Sequence, residues 1–575
     1  MAETGERHGG VPGNTALRAV EMVPRHLESN SEKFSFAPPV SAQQWMEVSM
    51  FCLQNRNVPS KRLLQMLEDT AKALMDEKPF HTQSSPLPRG NWYEGDDDDE
   101  SHRTCETSEA VSTETTSTHS FISTPQRQLA ARFFMLASLL GIKRGTVSSL
   151  RTSVRLAEMA VDAHRCTLTT THLAWACYYL GSVVQERGGR STLETMAGKL
   201  VRGTLEIIAR GASAFPTDFV QLVKLAWLMA LLGEIQSALA LTQRLVGQNR
   251  ADANALVLLS LLFSATGEYD RALEVANHTE QLHPQYILGG IVLTMMRYVT
   301  NDVHLHKRAG CEELLAILVA RVQATTQYTS ERANSDEFRL VPEIGTTVIA
   351  DGCWSTRFRG ASRVAGHWAL LAHVALEVGC TSIAEIAVRA GLEFVGEARE
   401  EHRKAYADLI CCSVRIKIDR MEKLVETVRQ RHMAAGVGDV VSILREFEDE
   451  QLIREQGTLL DEQEVRSLHS MLFTALEVCT AHADSYVQLG RLYLVEALKA
   501  NQQQSLRTTH LVEASHYFQL AIDSTSTNTA AYEGMGRVRE AQGAMEMSLN
   551  FLSSAAELAA RQPVIPFERF LYIFP

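Results

Sequence analysis

From position 125 onward, apolar residues recur at intervals of three and four positions along nearly the whole chain. Clear examples are ARFFMLASLLG, SVRLAEMAVDA, THLAWACYYLGSVV and LVRGTLEIIARG. This spacing places the apolar side chains on one face of a helix. Alternating strand-like patterns are nearly missing, and most of the 15 prolines fall between the periodic stretches. The pattern therefore predicts an all-α protein.

A 34-residue period relates two neighbouring segments around Gly233 and Gly267. In each segment, a large apolar residue stands two positions after the glycine and an alanine stands five positions after it. A period of this length with these residue types is the signature of the tetratricopeptide repeat, which is a pair of packed helices. The fold predicted is therefore an α-solenoid, a superhelix of stacked tetratricopeptide repeats.

The repeat positions have local packing reasons. Glycine after the first helix permits a left-handed backbone, a small residue lets two helices approach closely, and proline ends the second helix. An expansion between Tyr493 and Ala514 predicts a longer first helix or turn in that repeat. The residues that define the repeat copies are Gly233, Ala238, Leu259, Phe263, Gly267, Tyr269, Ala272, Pro284, Trp368, Gly379, Tyr486, Leu489, Gly490, Tyr493, Ala514, Phe518, Ala521, Tyr532, Gly536 and Gly543.

Composition divides the chain into segments. Residues 1–37 are polar and unpatterned, and residues 81–124 hold the acidic run EGDDDDE and a Ser/Thr-rich stretch, so both are predicted to be disordered. Within the helical part, an irregular insertion is expected over Ser330–Val364. The other predicted segments are a short helical segment over 38–80, helical repeats over 125–300 with tetratricopeptide copies near 219–286, a helix with the insertion over 301–364, and C-terminal repeats with a tail over 365–575.

Charge and motifs argue against several classes of function. The formal net charge of −12 disfavours binding to nucleic acid or directly to an anionic membrane. None of the ten cysteines forms the C-x-x-C spacing of zinc and redox sites. The nearest phosphate-loop lookalike, GGRSTLETMAGKL, has Leu193 in place of the first glycine and Leu200 in place of the hydroxyl residue. We therefore expect no catalytic residue, no cofactor and no metal, and a hidden enzyme is the alternative from another class.

A repeat array without such motifs is expected to bind proteins in its groove or along its outer edge. The carboxylate clamp that holds chaperone tails is absent, because Val257 and Leu261 occupy its Lys and Asn positions in one copy. Calmodulin or membrane-surface binding is an alternative to ordinary array packing for the stretch RIKIDRMEKLVETVRQRH, Arg415–His432.

The C-terminal tail is rich in aromatic residues, at Phe567, Phe570, Tyr572 and Phe574. So many large apolar side chains are not expected to stay in water, and they predict either a protein-binding element or a cap on the last helix.

Several stretches resemble the tetratricopeptide scaffold family of the plasma-membrane phosphatidylinositol 4-kinase complex, the tetratricopeptide repeat domain seven proteins. FAPPVSAQQWMEVSMFCL, LLSLLFSATGEYDRALEVANHTEQLHPQYILGGIVLTMM and HWALLAHVALEVGCTSIAEIAVRAGLEF resemble successive parts of the family's C-terminal half. The closing repeat ends, as in the family, with prolines and an aromatic residue, here Pro563, Pro566 and Phe567. The family's longer N-terminal half has no counterpart in this sequence.

The resemblance implies a non-catalytic cytoplasmic scaffold that joins the lipid kinase to a membrane-anchored helical-repeat protein at the cytoplasmic face of the plasma membrane. The membrane would then be reached only through partners. It also implies that the C-terminal superhelix and its tail form the acceptor surface. The alternatives are a tetratricopeptide subunit of another assembly, such as a ciliary transport or trafficking complex, and a calmodulin-binding repeat protein.

Overall fold

Helices form all the regular structure in the part of the chain that the computed structural model describes. That part comprises residues 125–144, 147–184, 187–210, 219–300, 304–334, 360–396, 402–434, 462–499 and 504–570, with Arg399 and a few positions between 65 and 75. The prediction of an all-α repeat superhelix is confirmed. None of the described helices is long and apolar enough to cross a membrane.

Eighteen described α-helices follow one another along the chain. They are α1 (Pro125–Arg144), α2 (Val147–Ala163), α3 (Thr167–Val183), α4 (Arg187–Arg210), α5 (Phe219–Leu231), α6 (Ile235–Gln248), α7 (Ala253–Ala265), α8 (Tyr269–Leu282), α9 (Ile287–Thr300), α10 (His304–Asn334), α11 (Gly360–Glu377), α12 (Thr381–Val395), α13 (Arg403–Ala434), α14 (Glu462–Val478), α15 (Ala483–Lys499), α16 (Gln504–Ser524), α17 (Thr529–Ala541) and α18 (Met545–Ala559). A short 3-10 helix, Phe567–Phe570, follows α18.

Successive helices pack in pairs, α1 with α2 and so on to α17 with α18, and each pair also contacts the next. One apolar core runs through the array from Ile142 to Phe570, and a second cluster lies between α15, α16 and α17. Such stacking covers the apolar stripe that one pair could not bury alone. The odd-numbered helices are the first members of their pairs and line the inner face of a tetratricopeptide superhelix.

Glycines end the first helix of four pairs in the same way. The φ angles of Gly233, Gly267, Gly379 and Gly543 lie between +80° and +83°. At the first of these turns, the N–H of Glu234 donates to the carbonyl oxygen of Met229 at 2.9 Å, which is the six-residue closure of a Schellman motif. The left-handed conformation that closes the turn strains any residue with a Cβ atom, which explains the glycine at this repeat position.

Small residues allow close helix approach in the last repeats. A Cβ atom added to Gly490 would lie 2.9 Å from the ring of Phe518, and one added to Gly534 would lie 2.1 Å from that ring. The repeat alanines Ala238, Ala272, Ala384, Ala514 and Ala521 are fully buried. Tyr269 differs, since its side chain at the start of α8 is 38% exposed.

Two boundaries differ in detail from the sequence prediction. The predicted insertion over Ser330–Val364 is too long, because α10 continues to Asn334 and α11 begins at Gly360. The segments TSERAN and GASRVAG carry alanine, arginine and glutamate residues that favour helix, so both helices extend past their apolar pattern. The expansion after Tyr493 lengthens both helices of its repeat, since α15 has 17 residues and α16 has 21.

The segments predicted to be disordered, 1–37 and 81–124, and most of the segment 38–80 lie outside the described residues.

Candidate binding groove and its bound tail

The residues that follow α18 turn back into the array and contact helices between α5 and α15. We call residues 562–570 the tail, and we call the inner surface that receives it the groove. At the start of the tail, the backbone N–H of Val564 donates to Oγ of Ser264 on α7, at 3.1 Å. Further along, Lys404 on α13 donates from Nζ to the carbonyl oxygen of Glu568, at 3.1 Å. The tail therefore crosses several repeats rather than following the last helix alone.

Two tail aromatics pack on a tryptophan in the middle of the array. The ring of Phe567 meets Trp227 of α5 edge-on, with centroids 6.1 Å apart, and the ring of Phe570 lies 5.3 Å from the same tryptophan. Trp227 is 2% exposed, Phe567 5% and Phe570 1%. Burial of three large rings supplies much of the free energy that holds the tail in place.

Arg569 carries the positive charge of the tail into an acidic part of the groove. Its Nη1 lies 3.0 Å from Oδ1 of Asp408 on α13 and 2.6 Å from Oδ2 of Asp484 on α15. The side chain of Asp408 is only 2% exposed, so its charge needs a partner inside the protein. The guanidinium bridges the two carboxylates and thereby connects two repeats through the tail.

His482 directly precedes α15 and contacts Asp408. The backbone N–H of Ser485 donates to Nδ1 of His482 at 3.3 Å, so that ring nitrogen accepts a hydrogen bond. The neutral ring must then carry its proton on Nε2, which donates to Oδ1 of Asp408 at 3.0 Å. His482 thus satisfies one of the free N–H groups at the helix start, as N-capping residues do.

The electrostatics of this cluster favour ionised carboxylates. Burial alone would raise the pKa of Asp408, but the hydrogen bond from His482 and the charges of Arg569 and Lys404 hold it well below its ordinary value. Burial likewise opposes ionisation of Asp484, and Arg569 outweighs it, so the pKa of Asp484 is also lowered. Burial and the nearby Arg569 charge lower the pKa of His373 on α11 to about 4. The neighbourhood of Arg569 is therefore a negatively charged receptor for one cation.

The same cluster contains the atoms that a metal site or a hydrolase would need. Oxygen and nitrogen atoms of Asp408, His482 and Asp484 lie within 4.8 Å of one another. The Arg569 guanidinium contacts both carboxylates and offsets one of their two negative charges. Asp408, His482 and Ser485 also form a hydrogen-bonded chain, with 2.9 Å between Nδ1 of His482 and Oγ of Ser485. Ser485 is fully buried, so its hydroxyl is not open to solvent.

The predicted tail residues separate into two groups. Phe567 and Phe570 lie in the groove on Trp227, away from a position as a cap on the last helix. Tyr572 and Phe574 lie outside the described residues. Arg569 and the cluster that receives it were not predicted from the sequence. One signal was present, namely the charged pair Glu568–Arg569 within the mainly apolar stretch VIPFERF.

The first half of the basic stretch Arg415–His432 in α13 packs within the array. Ile418 and Met421 are fully buried. Arg491 of α15 donates from Nη2 to Asp419 at 2.6 Å and to Glu422 at 2.7 Å. A calmodulin-type partner that took this helix would have to break those contacts, so the structure favours ordinary array packing for residues 415–422.

Comparison with known proteins agrees with this architecture. No protein-family model matches the chain. Human tetratricopeptide repeat protein 7A is 24% identical over 404 residues, which is 68% of this chain and 42% of the relative. The chain resembles this tetratricopeptide-repeat protein. The matched region is thus less than half of the relative's length.

Three solved structures align with this chain at TM-scores below 0.5. The human IFIT1 dimer with m7Gppp-AAAA is 10% identical, with 75% of this chain and 90% of that chain covered and a TM-score of 0.32. Naa15/Naa10 bound to HypK-THB is 9% identical, with 95% and 77% covered and a TM-score of 0.29. Yeast Tom70 is 11% identical, with 75% and 88% covered and a TM-score of 0.28. The molecules that these proteins bind do not indicate what this chain binds.

Proposed function

We propose that the protein is a non-catalytic scaffold that assembles a phosphatidylinositol 4-kinase complex at the cytoplasmic face of the plasma membrane. The support is the similarity to human tetratricopeptide repeat protein 7A over 404 residues, together with the family resemblance that the repeat sequences carry. In this proposal the partners are the lipid kinase and a membrane-anchored helical-repeat protein. The membrane is reached through them and not through a segment of this chain.

The observation that shapes this proposal is the tail in the groove. Trp227 and Asp408, which would be available to a bound peptide in an open groove, are covered by Phe567 and Arg569. A partner therefore binds the outer faces and edges of the repeats while the tail stays in place. The tail connects α5, α7, α13 and α15 and so fixes their relative positions.

The tail aromatics then contribute to partner capture in an indirect way. In this proposal the buried rings of Phe567 and Phe570 keep the C-terminal repeats in fixed relative positions, and a partner contacts the outer surface of those repeats. Tyr572 and Phe574 continue the same segment and are proposed to extend its binding role. Loss of the tail would change the shape of the acceptor surface without removing any outer residue.

Affinity purification of the tagged full chain from cells, followed by quantitative mass spectrometry, tests the proposal. We expect a phosphatidylinositol 4-kinase catalytic subunit to co-purify, and we expect truncation after Arg561 to reduce its yield. Leu549→Ala is the matched control, because Leu549 is 68% exposed on α18 and belongs to neither of the described core clusters. Recovery of ciliary or coat subunits in place of the kinase would contradict the proposal, as would equal kinase recovery from the truncated chain.

A further inference from the structure

Five aromatic and histidine rings form a connected surface patch on α14, α15 and α16. Tyr493 of α15 is at its centre. Its ring lies 4.6 Å from His469 of α14 and 5.5 Å from Tyr517 of α16, and the two tyrosine rings are stacked with an interplanar angle of 5°. His510 lies 6.0 Å from Tyr493 on the α16 side, and Tyr486 lies 6.5 Å from Tyr517. We call these five residues the ring patch.

The ring patch is accessible to solvent. Its tyrosines are half-buried, and Phe473 at its rim is 42% exposed. Phe473 stacks on His469, with 6.4 Å between the ring centroids. The centre of the patch is nine residues along α15 from Asp484, which corresponds to about 13 Å along a helix, so it is separate from the site of Arg569.

Two carboxylates stand beside the rings. Glu496 accepts a hydrogen bond from Nε2 of His469 at 3.2 Å. Burial, Tyr517 and then the charges of Glu496 and Glu513 raise the pKa of Tyr493 to about 12. Glu513 stands four residues before Tyr517 on α16, which puts the two side chains on the same face of that helix. Among the described residues, neither carboxylate is paired with a lysine or an arginine. The described cation–π contacts are Arg271 on Phe263 and Arg399 on Tyr406, so no cation from the part of the chain that the structure describes lies over the rings of the patch.

We propose that the ring patch, with Glu496 and Glu513, binds an arginine or lysine side chain of a basic segment in a partner protein. The faces of aromatic rings attract a cation through their quadrupole, and an adjacent carboxylate supplies the opposite charge. The tail shows that this fold binds a guanidinium between two carboxylates beside packed aromatic rings, at Arg569. This inference rests on the proposed scaffold function and names the chemistry of one partner segment.

Fluorescence anisotropy with the full chain tests the proposal. The probe is a short fluorescein-labelled peptide of alternating glycine and arginine, and a peptide with glutamate in place of arginine measures background binding. Two variants carry the same change of net charge. Glu496→Gln with Glu513→Gln removes the acids beside the rings, whereas Glu546→Gln with Glu557→Gln removes two exposed acids on α18. A third variant, Tyr493→Leu with Tyr517→Leu, removes the ring faces while both carboxylates stay.

We expect the first variant to weaken arginine-peptide binding about tenfold and the α18 variant to change it less than about twofold. We expect the tyrosine variant to weaken binding to a similar extent as the first, with unchanged helical circular dichroism. Equal weakening by the two acid variants would overturn the proposal, because it would show general attraction to a negative protein. Failure of the arginine peptide to bind the unmodified chain would also overturn it.

The purification described above separates this inference from the scaffold function. If the unmodified chain captures the kinase and the Glu496/Glu513 variant captures it equally well, the ring patch is not the contact and the scaffold function stands. If the unmodified chain captures no kinase while the arginine peptide binds as expected, the scaffold proposal fails and the patch chemistry stands.

Discussion

Arg569 and Asp408 are 161 positions apart in sequence, and their side chains form an ion pair at 3.0 Å inside the groove. The pair links the C-terminal tail to α13 and is completed by Asp484 of α15. A buried carboxylate of this kind depends on its partner, since the ion alone would be strongly disfavoured by desolvation.

Removal of the arginine is therefore expected to destabilise the array. Arg569→Leu should lower the free energy of unfolding by about 3 kcal/mol, because Asp408 is left buried without its counter-charge. Asp408→Asn with Arg569→Leu should lower it less than the two single changes added together, with a coupling of about 2 kcal/mol. Urea denaturation of the four proteins in this cycle gives the coupling directly. Strict additivity would show that the two side chains do not interact in solution.

The aromatic contact of the tail gives a second test. Phe570→Ala should cost about 3 kcal/mol of unfolding free energy, because it leaves a cavity next to Trp227. Leu549→Ala on the exposed face of α18 should stay within about 0.5 kcal/mol of the unmodified protein. Thermal and urea unfolding curves measure both. Similar effects of the two substitutions would mean that Phe570 is not packed in the groove.

Two glycines with different backbone conformations give a matched pair. Gly267→Ala should destabilise the protein by about 1 kcal/mol, because its φ of +80° strains a residue with a Cβ atom. Gly247→Ala should stabilise it by about 0.5 kcal/mol, because that exposed glycine lies in α6 with open space where the methyl group would go. Urea unfolding midpoints, analysed with one common slope of unfolding free energy against urea concentration, compare the two variants. The same sign for both substitutions would contradict the assignment of the left-handed turn.

Buried histidines predict a loss of stability in mild acid. Burial, reinforced by the charge of Lys224, lowers the pKa of His172 from its ordinary 6.5 to about 3, and burial lowers that of His373 to about 4. The unfolded chain therefore binds more protons than the folded chain below pH 6.5, so stability falls as the pH drops from 6.5 toward 4. Each histidine contributes a slope of about 1.4 kcal/mol per pH unit.

Urea unfolding at pH 7.5 and at pH 5.5 measures this slope. His172→Gln should reduce the difference between the two pH values, since glutamine can keep a hydrogen bond to Ser138 and does not titrate. A flat profile for the unmodified protein, or the same profile in the variant, would show that His172 is not buried as a neutral ring.

The repeat architecture could be predicted from the sequence because its determinants are local. Gly233 and Gly267 close turns between adjacent helices, and the alanines five positions later meet the preceding helix, so a period of 34 residues carries the information. Helix ends were less predictable. Good helix formers beside an apolar pattern let α10 and α11 extend into the predicted insertion.

The groove cluster could not be predicted in the same way, because its members are distant in sequence. Val564 meets Ser264 across 300 positions, and no periodicity relates them. Asp408, His482 and Arg569 are each ordinary charged or polar residues in their own segments, and the packing of α13 against α15 and the return of the tail bring them together. The same reason applies to the ring patch, which combines side chains of three helices.

The position of the tail can be measured directly by photocrosslinking. p-Azidophenylalanine at position 567, followed by irradiation and mass spectrometry of the full chain, should give cross-links to α5, Phe219–Leu231, because Phe567 packs on Trp227. The melting temperature of the substituted chain controls for its folding. Cross-links confined to α18, Met545–Ala559, or none within the array, would contradict a superhelix that is closed by its own tail.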